Sequence, residues 1–99
     1  MQYQVEENCL TIFLPKEVDH HNAEEIRKEA DQVIAKKHIK HVIFDFSSTN
    51  FMDSSGIALI LRSQQRMQLL DGSVVIRNIP AQAKRVLDAA GIGRLVSIK

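Results

Sequence analysis

Apolar and polar residues alternate along the chain in a way that predicts short strands separated by helices. Residues 3–14 contain two apolar segments on either side of a polar break at 6–8, a pattern typical of a β-hairpin, and Pro15 ends the second strand. Three later runs of apolar and β-branched residues predict further strands, at 41–46, 74–79 and 94–99. The first of these runs, HVIFDF, lies between polar segments and is expected to be a buried central strand.

A first helical pattern follows the hairpin. Its apolar residues recur at intervals of three and four, at Ala23, Ile26, Ala30, Val33 and Ile34. This helix is expected to begin near Asn22, with Asn22 as N-cap and Glu25 as its capping-box partner, and to end near Lys37.

Two more helices are predicted in the second half of the chain. One begins at Ser54, and residues 71–73 (DGS) end it. Its apolar face is expected to carry Ile57, Ile60, Leu61 and Leu69. The other has Pro80 in its first turn and Gly91 as its C-terminal cap. Its inward residues are expected to be Val86, Leu87 and Ala90.

The resulting order, β-β-α-β-α-β-α-β, predicts an α/β fold in which parallel strand pairs are covered by helices. At 99 residues, one domain spanning 1–99 is expected. In such folds binding sites favour the carboxyl ends of the strands. The segment FMDSSG, 51–56, lies where the central strand gives way to a helix, which raises the interest of its polar residues.

Bulk composition removes several classes of function. The net charge of +1 gives no reason to expect nucleic acid or an anionic membrane as a direct partner. Cys9 is the sole cysteine, so no intrachain disulfide forms. No apolar run approaches the ~20 residues of a membrane helix, and the first residues lack a signal-peptide pattern. We therefore expect a cytoplasmic protein, and a monomer because no long exposed apolar stretch stands out.

Three interpretations of Ser54 and Ser55 compete. As a nucleophile, either serine would need a base, for which four histidines are present (His20, His21, His38 and His41), and an orienting acid such as Asp53. The nucleophile-elbow pattern is absent, however, because Met52 stands where a glycine would precede Ser54. No catalytic residue is therefore assigned.

The second interpretation is a helix cap, since Asp and Ser at a helix start accept hydrogen bonds from free backbone N–H groups. The third is modification by a kinase. A phosphate on an exposed hydroxyl adds nearly two negative charges, which a helix N-terminus tolerates. Next to Asp53 that charge would become dense and would repel a partner built for a neutral serine.

These segments resemble a known family. DHHNAE (19–24), FMDSSG (51–56) and IPAQAKRVLDAAGI (79–92) occur in the order and spacing of STAS domains, specifically the bacterial anti-sigma factor antagonists of the sporulation anti-sigma F type. The resemblance covers almost the whole chain and implies a STAS-like fold with a four- to five-stranded mixed sheet. Two residues depart from the family pattern, because Lys16 and Ala58 stand where glycines are usual.

The resemblance implies a regulatory role and not an enzyme. The unphosphorylated antagonist binds an anti-sigma factor that is also a serine kinase, and the sigma factor is released. Phosphorylation of Ser54 ends the binding, and a serine phosphatase restores it. Partner-binding residues implied in this way are Asp19, His20, Asp53, Ser54, Ser55 and Gly56.

Under this reading Asp53 caps the helix, and Gly56 allows the partner to approach closely because it has no side chain. No cofactor is expected, since the ATP belongs to the kinase. No metal is expected either, because His20 and His21 are adjacent and a helical metal pair needs three or four residues between its histidines. A STAS subunit of a membrane transport complex, or another non-sigma regulatory module, stays the alternative.

Overall fold

A computed structural model describes all residues 1–99, which form short strands and helices joined by turns. The seven strands are β1 (Gln2–Glu6), β2 (Cys9–Phe13), β3 (Glu17–Val18), β4 (His41–Asp45), β5 (Phe51–Met52), β6 (Ser73–Arg77) and β7 (Ser97–Ile98). The helices are α1 (Ala23–Lys37), α2 (Ser54–Leu69), α3 (Ala81–Ala89) and a short 3₁₀ helix, Ile92–Arg94.

Five strands form the main sheet in the order β1-β2-β4-β6-β7. The β1–β2 hairpin is antiparallel and all other neighbours are parallel. Each crossover steps in the same direction, and right-handed crossovers of that kind place all helices on one face of the sheet. The predicted α/β class, its mixed sheet and the order of the main-sheet strands and helices are confirmed.

The core lies between that face of the sheet and the helices. Alternate residues of the central strands are fully buried there, including Ile12, Phe44 and Ile76. Helix α1 contributes Ala23, Ile26, Ala30 and Ile34, as its periodicity predicted. Leu69 does not join them and is 87% exposed. It lies about 200° around α2 from the buried Met67, since each helical residue turns about 100°.

The helix ends differ from the prediction in two details. The side chain of Asn22 makes no capping hydrogen bond, so the expected capping box with Glu25 is wrong. The N–H groups of Asn22 and Ala23 instead donate to the main-chain oxygen of Asp19. Pro80 lies just before α3 and not in its first turn.

The C-terminal segment is also partly corrected. Gly91 has the left-handed backbone (φ 73°) expected of a helix-terminating glycine. The strand expected at 94–99 is limited to β7, because the N–H groups of Leu95 and Val96 donate to Ile92 and continue the 3₁₀ turn. Ala90 lies beyond the end of α3 and is exposed.

Two very short strands were not predicted. β3 and β5 pair in parallel as a separate two-stranded sheet, with Glu17 opposite Phe51 and Val18 opposite Met52. We call these four residues the β3–β5 ribbon. It lies immediately before Asp19 in one half of the chain and before Asp53 in the other.

Candidate functional site

The β3–β5 ribbon brings together the two segments that the sequence singled out. Asp19 follows β3 directly and Asp53 follows β5 directly. The N–H of Asp53 donates to the main-chain oxygen of Val18 over 3.1 Å, which ties the second segment to the first. His20 also reaches across, with its Nδ1 3.7 Å from Oδ2 of Asp53. The two segments therefore form one continuous surface.

Asp53 caps helix α2, as predicted. Its Oδ1 accepts the N–H of Ser55 at 2.7 Å, and its main-chain oxygen accepts the N–H of Gly56 at 3.0 Å. Burial raises the pKa of the Asp53 carboxyl, but the hydrogen bonds from Ser55 and the nearby His20 outweigh it and leave that pKa below its usual value. Asp53 is thus an anion at neutral pH and fixes the first turn of the helix.

Ser54 occupies the first position of α2 and is exposed, whereas Ser55 is half-buried. The capping interaction uses the backbone N–H of Ser55 and leaves the hydroxyl of Ser54 outside it. The histidine–serine hydrogen bond of this chain joins His41 and Ser73, at the amino-terminal end of β4 and β6. No histidine is hydrogen-bonded to Ser54, so this serine has no base to activate it. Ser54 is instead exposed to solvent.

Gly56 has an internal packing role that the sequence did not predict. It is buried, and a Cβ added to it would lie 2.6 Å from Sδ of Met52 and 3.2 Å from Cγ1 of Val18. Carbon and sulfur atoms cannot approach so closely without displacement. The glycine therefore makes room for a side chain of its own protein, and the expectation that it also allows a partner to approach stays a prediction.

Asp19 organises the turn that leads into α1. It is half-buried, and its Oδ1 accepts the N–H of His21 at 2.9 Å. His20 and His21 are exposed, and their ring centroids are 4.0 Å apart. This turn holds His20 beside Asp53, so the two predicted partner-binding segments share an edge.

A shallow cleft of about 170 Å³ opens between α1 and α2 next to Ser55. Its lining is mixed in charge and polarity and comprises His20, Ala23, Glu24, Arg27, Ser55, Ala58, Leu59 and Arg62. Ala58, one of the departures from the family pattern, is exposed in this cleft. Lys16, the other departure, is exposed at the start of the ribbon, where its main-chain oxygen accepts the N–H of Asn50 at 2.7 Å.

The roles of three residues at the site were not predicted from the sequence. Phe51 lies on the ribbon and is 44% exposed. An aromatic residue just before the polar motif was the sequence signal that could have identified it. The side chain of Gln82, from α3, bonds to both main-chain groups of Met52. The side chain of Asn22 bonds to the Glu17 oxygen of β3 and to the N–H of Asp19, which lie five and three residues away in the sequence. The contact of Gln82 with Met52 spans 30 residues and depends on the tertiary fold, so no local pattern could have revealed it.

A second buried carboxylate lies at the carboxyl ends of β4 and β6. Asp45 is 5% exposed and accepts hydrogen bonds from Ser47 N–H (2.8 Å) and from Arg77 Nη2 (3.0 Å). Burial raises its pKa, but these bonds and a longer one from Asn78 outweigh burial and lower it. All its contacts are internal, which indicates a structural ion pair.

The chain has neither a candidate metal-binding cluster nor a candidate membrane-spanning helix. No group of three or more His, Cys, Asp or Glu side chains is arranged to hold a metal ion. None of the helices combines the length and apolar character needed to cross a bilayer.

Comparison with known proteins places these features in context. The family model described as STAS domain matches residues 1–99. The anti-sigma F factor antagonist of Paenibacillus polymyxa is 27% identical over 89 residues, which are 90% of this chain and 76% of that relative.

Two solved structures have the same fold. The unphosphorylated form of the anti-sigma factor antagonist SpoIIAA matches with a TM-score of 0.81 at 26% identity, covering 99% of this chain and 86% of that one. The phosphorylated form of the Bacillus cell fate determinant SpoIIAA matches with a TM-score of 0.79 at 27% identity, covering 99% and 89%.

Proposed function

Since the chain belongs to the STAS domain family, we propose that it is an anti-sigma factor antagonist whose binding is switched by phosphorylation of Ser54. In its unphosphorylated form it binds an anti-sigma factor that is also a serine kinase, and the sigma factor is released. Phosphorylation by that kinase ends the interaction, and a serine phosphatase reverses it. Residues 1–99 act as one regulatory STAS unit without catalytic activity or cofactor of their own, and as a monomer in the cytoplasm.

The observation that carries the proposal is the exposed Ser54 hydroxyl directly after the capping Asp53. A kinase must reach its acceptor without unfolding the substrate, and this hydroxyl is accessible on a rigid helix start. The similarity to antagonists in both sequence and structure supports the same conclusion. Similarity to a protein solved in a phosphorylated form supports the proposed modification.

The switch itself follows from local charge. Asp53 is ionised, and Asp19 lies on the same edge. A phosphate on Ser54 would add nearly two negative charges beside them. The positive end of the α2 dipole accommodates that charge, so the fold persists. A partner surface matched to Asp19, Asp53 and a neutral serine is then opposed by repulsion and bulk.

The partner surface combines the two segments joined by the ribbon. It comprises Asp19, His20, Asp53, Ser54 and Ser55. Gly56 is part of this surface through its backbone, because its close packing against Met52 positions the first turn of α2. The ATP for the reaction is bound by the kinase.

The test is incubation of the purified chain with ATP and the anti-sigma factor kinase encoded nearest to it, read by intact mass and peptide mapping. We expect one added phosphate on Ser54. The Ser54→Ala variant should gain none, while the matched Ser55→Ala variant should remain a substrate. Loss of phosphate only in Ser55→Ala would mean that the other serine is the acceptor. No phosphate with any candidate kinase would favour a STAS role in a different assembly, such as a transport complex.

A further inference from the structure

The outer edge of β5 is closed by a side chain instead of a strand. In a β-strand the N–H and C=O of one residue point to the same side, and those of its neighbours point to the other. The N–H groups of Phe51 and Asp53 donate towards β3, so the main-chain N–H and C=O of Met52 point away from β3. Oε1 of Gln82 accepts the Met52 N–H at 3.0 Å, and Nε2 of Gln82 donates to the Met52 oxygen at 3.1 Å.

The outer edge of β3 is closed in the same manner. The main-chain oxygens of Lys16 and Val18 accept from the β5 segment, so the oxygen of Glu17 and the N–H of Asp19 point away. Nδ2 of Asn22 donates to the Glu17 oxygen at 2.7 Å, and Oδ1 of Asn22 accepts the Asp19 N–H at 3.0 Å. Each edge of the ribbon therefore has one donor and one acceptor satisfied by a single side-chain amide.

Two paired residues per strand are too few to hold a ribbon in place without help. Each edge of the ribbon would also leave main-chain N–H and C=O groups unpaired. The amides of Asn22 and Gln82 replace the missing neighbouring strands, one anchored at the start of α1 and the other in α3. The ribbon is thus fastened to two helices, immediately before Asp19 on one strand and Asp53 on the other.

We propose that Asn22 and Gln82 are a pair of positioning residues, which hold the two segments of the partner surface at a fixed separation before the partner binds. This inference rests on the proposed function for its role in phosphorylation. Neither amide belongs to the surface that the kinase would contact. Both act through the backbone of the ribbon, by preorganising Asp19 and Ser54.

Amide hydrogen exchange measured by NMR tests the structural part without any partner. Gln82→Ala should accelerate exchange of the Met52 N–H by roughly three- to tenfold, the equivalent of one hydrogen bond. Asn22→Ala should do the same to the Asp19 N–H and leave Met52 less affected. Asn22→Asp keeps the acceptor and should retain most of the Asp19 protection. Gln65→Ala, which removes an exposed amide from α2, should change neither rate.

Kinase kinetics test the functional part. In Gln82→Ala the KM for the antagonist should rise by about three- to tenfold while kcat stays within about twofold, since preorganisation is lost before docking and no reacting group is removed. Val75→Ala, a half-buried change in β6 remote from the ribbon, is the control for general loss of stability and should leave KM unchanged.

Unchanged exchange at Met52 in Gln82→Ala, or at Asp19 in Asn22→Ala, would overturn the inference. Faster exchange with an unaltered KM would overturn the positioning role and leave only a structural one. If no kinase phosphorylates the wild-type chain, the proposed function fails, whereas the exchange rates still decide whether the two amides hold the ribbon.

Discussion

Replacing Gly56 with alanine puts a methyl group into the packed side of α2. If Gly56 served mainly to admit a partner, the change would stabilise the free protein, because alanine is the better helix former by about 1 kcal/mol. The internal packing predicts the opposite sign. The sign of the stability change therefore tests the internal packing role of Gly56 without any partner present.

The expected magnitude follows from the contacts of the added Cβ. It would lie 2.6 Å from Sδ of Met52, closer still to its Cγ, and 3.2 Å from Cγ1 of Val18. Met52 is 1% exposed and Val18 is fully buried, so neither can move into solvent. Overpacking of this kind costs about 1–3 kcal/mol. After the gain in helix propensity, a net loss of up to about 2 kcal/mol is expected.

Urea denaturation followed by circular dichroism measures this loss, and a double-mutant cycle assigns its cause. Met52→Ala alone should cost about 2–5 kcal/mol because it leaves a cavity. It also removes the two Met52 atoms among the three that the new methyl group meets. The double variant should therefore be more stable than the sum of the single changes predicts, by about 1–3 kcal/mol. Additive effects, or a Gly56→Ala variant more stable than wild type, would refute the reasoning.

Three further outcomes can be measured on the same protein. Asp53→Ala should lower the free energy of unfolding by about 0.5–2 kcal/mol while Asp53→Asn stays near wild type, because asparagine also caps a helix. The free energy of unfolding of Ser54→Asp should lie within about 0.5 kcal/mol of the wild-type value. Its affinity for the kinase, measured by calorimetry, should be at least about tenfold weaker. The folded-state pKa of Asp45 lies below its unfolded value, so its ionised form stabilises the protein above about pH 4 and that contribution is lost as the pH falls further. In Asp45→Asn the free energy of unfolding should fall less steeply as the pH drops below about 4. An unchanged pH dependence would contradict this assignment.

Periodicity was sufficient to predict the long elements. The α1 residues Ala23, Ile26, Ala30 and Ile34 are buried as their spacing requires, and the apolar run 41–46 contains the central strand β4. Leu69 shows where apolar character alone misleads. Its angular position on α2 faces away from the core, although its residue type suits burial.

The site was predictable only in part. Asp53 as a cap follows from local sequence, because the residues that it bonds are its immediate neighbours. The β3–β5 ribbon is two residues long on each side and carries no periodic signal. The contact between Gln82 and Met52 spans 30 residues, and it exists only once α3 has packed beside β5. Gly56 was recognised as significant, but its reason depends on the direction of the Met52 side chain.

The distribution of these roles bears on how the proposed charge switch would operate in so small a protein. Asp53, Gly56 and the amides of Asn22 and Gln82 maintain the local structure, and each does so through internal contacts. The exposed hydroxyl of Ser54 is outside all of them. Changing its charge therefore breaks no bond of the folded state, and the free energy of the modification is expressed where a partner meets the surface. A switch built on a capping or buried residue would instead lower stability each time it was set.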